Sequence, residues 1–461
     1  MENPLVLLRK ESLSVYNRLH SIAEDTLFID DVHNTYPNLP ILPNLRCGAW
    51  YTNPRVATNA PAYFKSTDGH YANWAFNLRR SNLHLLSLLE QSDGMVIVDS
   101  TRSGKRLPDA LSKTLPIWCA VINHAIAHRY PDLHDHFKNW DYALYTPPIS
   151  VSRQEHHQIE QRLDEWVDAL TQSSFHLPLL RRPLRPIWLT PATSSFPIID
   201  PPEDNVTGFF PIVCVSASHH ISQGLERRTA GFTYVQGSGD DHELWGMGLT
   251  PAMFWDNKDA LLATSSEELP NLISRLIAIS KMSSSLPEDP PSPILKVKGH
   301  ILVSTLLGVK STKPKDDNAC FLLLDSEPFI HNDTDSNTPE SETSLRLSYT
   351  EGKKGGSHFL TAVLPRAVNF AYSQLQAGRS VCVACPDGKD ISVCVAVAIL
   401  QRYFSDSGES LLPHEYTNPI TKSTIRSRLE WVIESRPLAN PSRASLKRVN
   451  DFFLTPAHFQ R

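Results

Sequence analysis

The sequence predicts an α/β protein of two domains, and three observations carry that prediction. Short apolar runs alternate with helical patterns along the chain. The 461 residues exceed one core of roughly 150 residues. A Pro/Ser/acidic stretch, SSSLPEDPPS at 283–292, interrupts both patterns. With 41% hydrophobic and 20% charged residues the chain can bury a normal core, which excludes fibrous and wholly disordered classes. Glycine is scarce (19) and proline abundant (35), so connections are stiff rather than flexible. The net charge of −5, from 44 basic and 49 acidic side chains, confines any nucleic-acid footprint to local basic clusters.

In chain order, buried strands are predicted at Met95–Val98, Ile212–Val215, Ile301–Ser304, Phe321–Leu324 and Val381–Ala384. Helices are predicted over 77–91, 108–129, 153–170, 361–376 and 392–404, with Gly94 and Gly378 closing two of them. The Pro-rich region 177–202, which holds Arg181, Arg182 and Arg185, reads as extended chain. We expect an N-terminal α/β domain over 1–285, a Pro/Ser linker over 286–297 and a second domain over 298–461, with the acidic tract near 325–344 as a disordered surface loop. The seven cysteines are odd in number and lie mostly among apolar residues, as reduced core thiols do. Cys382 and Cys385 form a C-x-x-C without a second pair at zinc-site spacing. No signal-peptide pattern opens the chain and no apolar run reaches the roughly 20 residues of a membrane span, so the expected location is cytoplasmic.

Chemistry concentrates at the end of the first predicted strand. After Asp99 come Ser100, Thr101, Arg102, Ser103, Gly104, Lys105 and Arg106, and Pro108 then sits where the first turn of a helix accepts it. The spacing of Ser100 and Arg106 resembles the phosphate loop of tyrosine phosphatases, with serine where those enzymes carry the nucleophilic cysteine. Such a loop binds phosphate through backbone N–H groups, the helix start and Arg106, but without a thiolate it has no phosphoenzyme route. The layout recurs in the second domain as Cys385, Asp387, Gly388, Lys389, Asp390 and Ser392. There the arginine position is taken by Ile391, so a working phosphatase is not expected. Asp240, Asp241 and Glu243, packed after a strand-like Phe232–Val235, are candidate ligands for Mg²⁺ carrying a diphosphate. Lys65, Ser66 and Thr67, with Asp68 beside them, and Arg79 and Arg80 are further candidates for phosphate or ribose. Asp68 or Asp99 is the candidate catalytic base. Arg426, Arg428, Arg443, Lys447 and Arg448 form a basic carboxyl-terminal cluster for an RNA backbone, joined by Arg181, Arg182 and Arg185.

Four strings taken together resemble the fungal and plant initiator-tRNA 2′-O-ribosylphosphate transferase family. They are CGAWY at 47–51, FKSTDGH with W-x-FNLRRSNLHLL at 64–86, VIVDSTRSGKR-x-PDALSKTLPIWCAVIN from Val96, and YVQGSGDDHELW-x-x-GLTP-x-x-FW at 234–255. The resemblance covers essentially the whole chain. It implies transfer of a phosphoribosyl group from phosphoribosyl pyrophosphate to the ribose 2′-hydroxyl of the purine at position 64 of initiator methionine tRNA, which excludes that tRNA from elongation. It also implies a carboxyl-terminal domain resembling a dual-specificity phosphatase-like fold. Two other readings stand beside it: a non-catalytic, pseudophosphatase-like tRNA-binding protein, and a phosphatase using Cys385.

Overall fold

A strand buried on both faces needs a side chain compatible with burial at every position, and two segments of the first half meet that need, Met95–Asp99 and Phe210–Ser216. In a computed structural model, which describes residues 4–67, 72–102, 104–132, 139–199, 208–282, 289–311, 318–326, 343–350, 352–412 and 419–455, they are β2 and β4 of a four-stranded sheet. Its other strands are β1, Ile41–Pro43, and β3, Leu184–Leu189; the order is β1-β2-β4-β3 and every pairing is parallel. Pro43 and Pro186 lie in the two edge strands, which tolerate a missing N–H. The helix Val15–Thr35 packs Leu19, Ile22, Ile29 and Val32 into one core with Ile41, Val96, Val98, Val213 and Val215. The helix Leu115–Arg129 packs on β3 and on the helix Leu163–Thr171. A short hairpin, β5 (Leu225–Arg227) with β6 (Thr233–Val235), follows β4.

The chain forms two compact units, Met1–Gln172 with His176–Ser284, and Ser285–Arg461 with Ser173–Phe175. The second is built on a five-stranded sheet of β7 (Ser292–Pro293), β8 (Ile301–Thr305), β9 (Ala319–Asp325), β10 (Ser344–Ser348) and β11 (Ser380–Cys385). The order is β10-β9-β11-β8-β7, parallel except for β7. In each unit an interior strand, β2 or β11, runs into a loop and then a helix. Both units also carry a proline one residue into a long helix, Pro116 and Pro365. A proline ring collides with the carbonyl four residues back. Each helix avoids this with a wide π turn, over Ala110–Thr114 or Phe359–Val363, that passes the hydrogen bond five residues back instead.

Several expectations need correction. The helix expected over 77–91 is a 3₁₀ turn at Leu78–Arg80 and a helix at Leu85–Ser92. Asn82 adopts a left-handed conformation between them, and its amide pairs with the backbone of Tyr63 instead of continuing the helix. The helix expected over 153–170 is two, Arg153–Glu160 and Leu163–Thr171. Part of the expected 286–297 linker is the sheet-edge strand β7, held there because Arg436 hydrogen-bonds both Asp289 and Ser292. Most of the acidic tract near 325–344 lies outside the described residues.

The basic carboxyl-terminal cluster also divides. Arg426, Arg443 and Lys447 are exposed on the helices Lys422–Ser435 and Arg443–Leu454, and Arg448 is half-buried beside Asp451. Arg428 is fully buried, paired with Asp406 at 2.6 Å and stacked on Trp431 at 4.1 Å, so it cannot meet an RNA backbone. Arg181, Arg182 and Arg185 are likewise engaged within the first unit by Glu90, Asp93 and Asp141, and stack on aromatic rings. We expect Arg428→Ala to destabilise the second unit by on the order of 2–4 kcal/mol, because it empties the volume of a buried side chain. Chemical denaturation would show this, with the transition of the first unit unmoved.

Candidate active site

Parallel strands end at one edge, so the loops after β1, β2 and β4 converge there. Their meeting point is Asp99, the last residue of β2 and wholly buried. Arg46, in the loop after β1, reaches both of its oxygens, at 3.1 and 3.2 Å. Asn44 donates to it at 2.8 Å, the Ser100 N–H at 2.8 Å and the Cys47 thiol at 2.9 Å. With five donors around it, Asp99 is a structural acceptor; the expectation that it is the base is corrected on that ground. The other candidate base, Asp68, lies outside the described residues, as does Ser103. Burial, followed by the charge of Asp99, pushes the Cys47 thiol well up, so it stays a neutral donor.

Arg46 also joins the acidic motif to this point. Its guanidinium donates to Asp240 at 2.8 Å and to the carbonyl of Ser100. Arg102, in the loop after β2, takes the second oxygen of Asp240 at 2.9 Å and Asp241 at 2.7 Å. Glu243 is largely exposed, near His242. Among the described residues no three His, Cys, Asp or Glu side chains converge as metal ligands. The carboxylates of Asp240 and Asp241 hold arginines, and this arrangement does not fit the direct magnesium site expected of Asp240, Asp241 and Glu243. Gly237 adds a backbone contact: at φ +70° it approaches the loop so closely that a Cβ would lie 2.6 Å from the carbonyl oxygen of Thr101. Gln236 completes the clamp by donating to the carbonyls of Arg102 and Lys105.

Beneath the loop runs a buried chain of hydroxyls. Ser100 Oγ lies 2.6 Å from Ser218 Oγ, Ser218 donates to Asp25 at 2.7 Å, and Tyr234 donates to the other Asp25 oxygen at 2.8 Å. Burial pushes the Asp25 carboxyl well above the usual carboxylate range, against the pull of the Ser218 and Tyr234 hydrogen bonds. The remaining predicted residues surround this core. Lys105 pairs with Asp109 at 3.0 Å, and Thr67 donates to the second oxygen of that carboxylate. Lys65 is exposed and its carbonyl accepts from Thr114; Ser66 follows it on the same segment. Arg80 stacks on Tyr63 at 4.0 Å, with Arg79 beside it in the 3₁₀ turn. Gly104 turns the loop at φ +84°.

Arg106 is exposed and lines a cavity of about 360 Å³ with His219, His220, Arg228 and Glu226. His219 is half-buried, and burial lowers its pKa below the usual histidine value of 6.5. A neutral imidazole therefore shares a pocket with two guanidiniums. A second cavity, of about 460 Å³, lies where Arg18, Arg102, Gln236 and Asp241 meet.

The corresponding loop of the second unit is closed to phosphate. Cys385 is buried, and burial raises its thiol pKa. The thiol donates to Asp387 at 3.2 Å and lies 3.0 Å from the Ser392 hydroxyl, and the Lys389 N–H donates to the same Asp387 oxygen at 2.9 Å. A carboxylate thus takes the donors an anion would need. Gly388 packs under Arg436, which hydrogen-bonds its carbonyl at 2.8 Å, and Asp390 caps Ser442.

Residues 8–278 match the Rit1 N-terminal domain and residues 343–453 the Rit1 DUSP-like domain. The chain belongs to the Rit1 family. An uncharacterised Schizosaccharomyces pombe protein is 36% identical over 95% of this chain and 94% of its own. The tRNA A64-2′-O-ribosylphosphate transferase of Saccharomyces cerevisiae is 34% identical over 97% of this chain and 93% of its own. Human DUSP28 (13% identity, TM-score 0.25) and PTPMT1 (16% identity, TM-score 0.23) align with 36% and 35% of this chain, and each with 93% of its own. The carboxyl-terminal fold of this Rit1-family chain is dual-specificity phosphatase-like. Among the described residues no helix is long and apolar enough to cross a membrane.

Sequence reasoning found the loop and missed what holds it: Arg46, Asp25, Ser218 and Gln236. Asp25 had a legible signal. It shares helical spacing with Ile22, Ile29 and Val32, a carboxylate on an otherwise apolar face. Because its folded pKa is raised, the unfolded state releases its proton first, and stability falls as pH rises from the ordinary carboxyl range near 3.8 toward the raised value. We expect Asp25→Asn to remove that loss, so that its stability relative to the parent improves as pH rises. Urea denaturation across pH 4–8 measures it.

Proposed function

We propose that this chain transfers a ribosyl phosphate group from phosphoribosyl pyrophosphate to a ribose 2′-hydroxyl of initiator tRNA, at the purine of position 64. The name of the Saccharomyces cerevisiae relative supports the reaction class. The observation that carries the reading is the loop after β2, clamped from below by Arg46 and Gln236 while it presents Arg106 to a cavity shared with Arg228 and His219. Arg106 has no ion pair among the described residues and is suited to a donor phosphate. In the transfer, the bond from the anomeric carbon to the diphosphate breaks with its electron pair on the diphosphate. The 2′-oxygen forms the new bond and its proton passes to a base. His219, kept neutral by its partial burial, fills that role in place of Asp68 or Asp99. Arg106 supplies positive charge to the departing anion. Magnesium belongs to this reading as the donor's counter-ion, and no step is assigned to it. Exclusion of the tRNA from elongation and a cytoplasmic location belong to the same proposal.

Incubation with radiolabelled donor, Mg²⁺ and either initiator or elongator tRNA is the direct test. Label is expected on initiator tRNA only; tRNA binding without transfer would leave the non-catalytic reading standing. Arg106→Ala should weaken donor binding about ten- to a hundredfold, the loss of one charge-assisted contact. Cys385→Ser should transfer at close to the parent rate. The transfer rate should fall with decreasing pH only below the ordinary histidine value of 6.5, as His219 becomes protonated, and His219→Gln should lose that limb.

The tRNA itself should be held partly by the exposed Arg426, Arg443 and Lys447. Each phosphate contact contributes about −0.9 to the slope of log affinity against log salt, so a triple alanine variant should flatten the slope by up to about 3. Filter binding at several salt concentrations reads this, and an unchanged slope would remove the cluster from the interface.

A further inference from the structure

Three buried polar side chains, Asn17, Ser21 and Asp25, stand four residues apart on one face of the helix Val15–Thr35. The first two accept backbone N–H groups of β6, from Thr233 at 3.0 Å and from Val235 at 2.8 Å, and so hold that strand to the helix. Asp25 takes no part in this pairing. Its oxygens meet Ser218 Oγ at 2.7 Å and Tyr234 Oη at 2.8 Å. Tyr234 Oη in turn accepts the backbone N–H of His219 at 2.9 Å. One carboxyl therefore grips two successive residues, Ser218 by its hydroxyl and His219 through Tyr234. The neighbouring Glu24 secures another wall of the same cavity by pairing with Arg228 at 2.6 Å.

Asp99 is as deeply buried as Asp25, but it is met by the guanidinium of Arg46, whereas Asp25 has no ion pair among the described residues. The titratable groups around Asp25 are Glu24 on its own helix, Tyr51 after β1, Tyr234 on β6 and, beyond Tyr234, His219. Arg228 stacks on Tyr234 at 4.6 Å but is taken by Glu24 and Glu226. A carboxylate without a cation is costly in such a place, and a neutral acid is not. The contacts accommodate the neutral form. The Ser218 contact then reverses, so that the acid O–H donates to Ser218 Oγ and Ser218 passes its own hydrogen to Ser100 Oγ, 2.6 Å away. Tyr234 still donates to the remaining Asp25 oxygen.

We infer that Asp25 is a positioning residue for the proposed transfer: as a neutral acid it fixes the Ser218–His219 peptide, and with it the His219 imidazole, in the cavity shared with Arg106 and Arg228. The inference rests on the reading of His219 as the base. Loss of the Asp25 contacts leaves β6 on the helix through Asn17 and Ser21, and releases the loop that carries His219. Asparagine copies the neutral acid, with an N–H for Ser218 and a carbonyl oxygen for Tyr234, and does not copy a carboxylate.

Asp25→Asn, Asp25→Ala and Tyr234→Phe, each in the full chain, test it by two independent readouts. The first is transfer to initiator tRNA. Asp25→Asn should keep kcat within about threefold of the parent, while Asp25→Ala and Tyr234→Phe should lower kcat about tenfold or more with the donor KM nearly unchanged, since Arg106 is untouched. The second is NMR titration of labelled histidine, with the His219 signal identified by its absence in His219→Gln. The His219 pKa should lie below 6.5 in the parent and in Asp25→Asn, and move toward 6.5 in Asp25→Ala and Tyr234→Phe as the loop is released. If the parent transfers no label, the proposed reaction fails and the titration alone decides the positioning. Thermal denaturation shows which variants are folded, and Tyr234→Phe, which leaves the buried acid in place, decides if Asp25→Ala is not. The inference is overturned if Asp25→Asn loses as much as Asp25→Ala, if folded Tyr234→Phe keeps the parent's kcat, or if His219 titrates alike in all four proteins.

Discussion

The contact on which the first unit depends is the pair of Arg46 and Asp99. A carboxylate with no exposed surface at the end of an interior strand must be matched donor for donor, because an unpaired buried charge costs several kcal/mol. Arg46 meets that demand and has hydrogen bonds to spare. The surplus reaches Asp240 and the carbonyl of Ser100, which ties the strand end, the acidic motif and the phosphate loop into one body. Two arginines and two aspartates, Arg46, Arg102, Asp99 and Asp240, then neutralise one another. What is left over at the surface of the loop is the charge of Arg106. The carbonyls of Ser100, Arg102 and Lys105 are held by protein donors, and an anion site positioned in advance loses less entropy on binding than a mobile one.

The same argument explains why the acidic motif reads so differently in sequence and in structure. Three carboxylates within four residues look like a metal site when their partners are unknown. The partners come from 46 and 102, distant in sequence, and no local spacing foretells them. By contrast the strand runs, the loop after β2 and the helix behind it were legible, because apolar periodicity and a proline at a helix start are local signals. Breaks such as the one at Asn82 were not. There a side-chain amide prefers a backbone partner at Tyr63, a tertiary choice that overrides helical periodicity.

Arg428 and Arg426 make the point within one helix. Two residues apart in a basic stretch, they have opposite fates, one buried on Trp431 and one in solvent. A count of charges treats them alike. The helix period separates them, since positions two apart lie on different faces, and the apolar neighbours Ile425, Leu429 and Val432 mark which face turns inward. Reading charge together with periodicity would have taken Arg428 out of the RNA-binding set.

The two strand–loop–helix segments show how one backbone layout serves opposite chemistry. In the first unit the carboxylates lie behind the loop and bind its arginines, so the front is cationic. In the second, Asp387 and Asp390 lie within the loop itself; Asp387 accepts the loop's own Lys389 N–H and Asp390 the N–H of Ser442. Each loop turns at a glycine with positive φ, Gly104 in the first and Gly388 in the second. The charge a loop presents is set by whether the acidic side chains stand behind the loop or in it. A loop retaining only its layout is therefore no argument for phosphate binding until the partners of its N–H groups have been traced, and for Cys385 that tracing ends on a neutral thiol and an occupied acceptor.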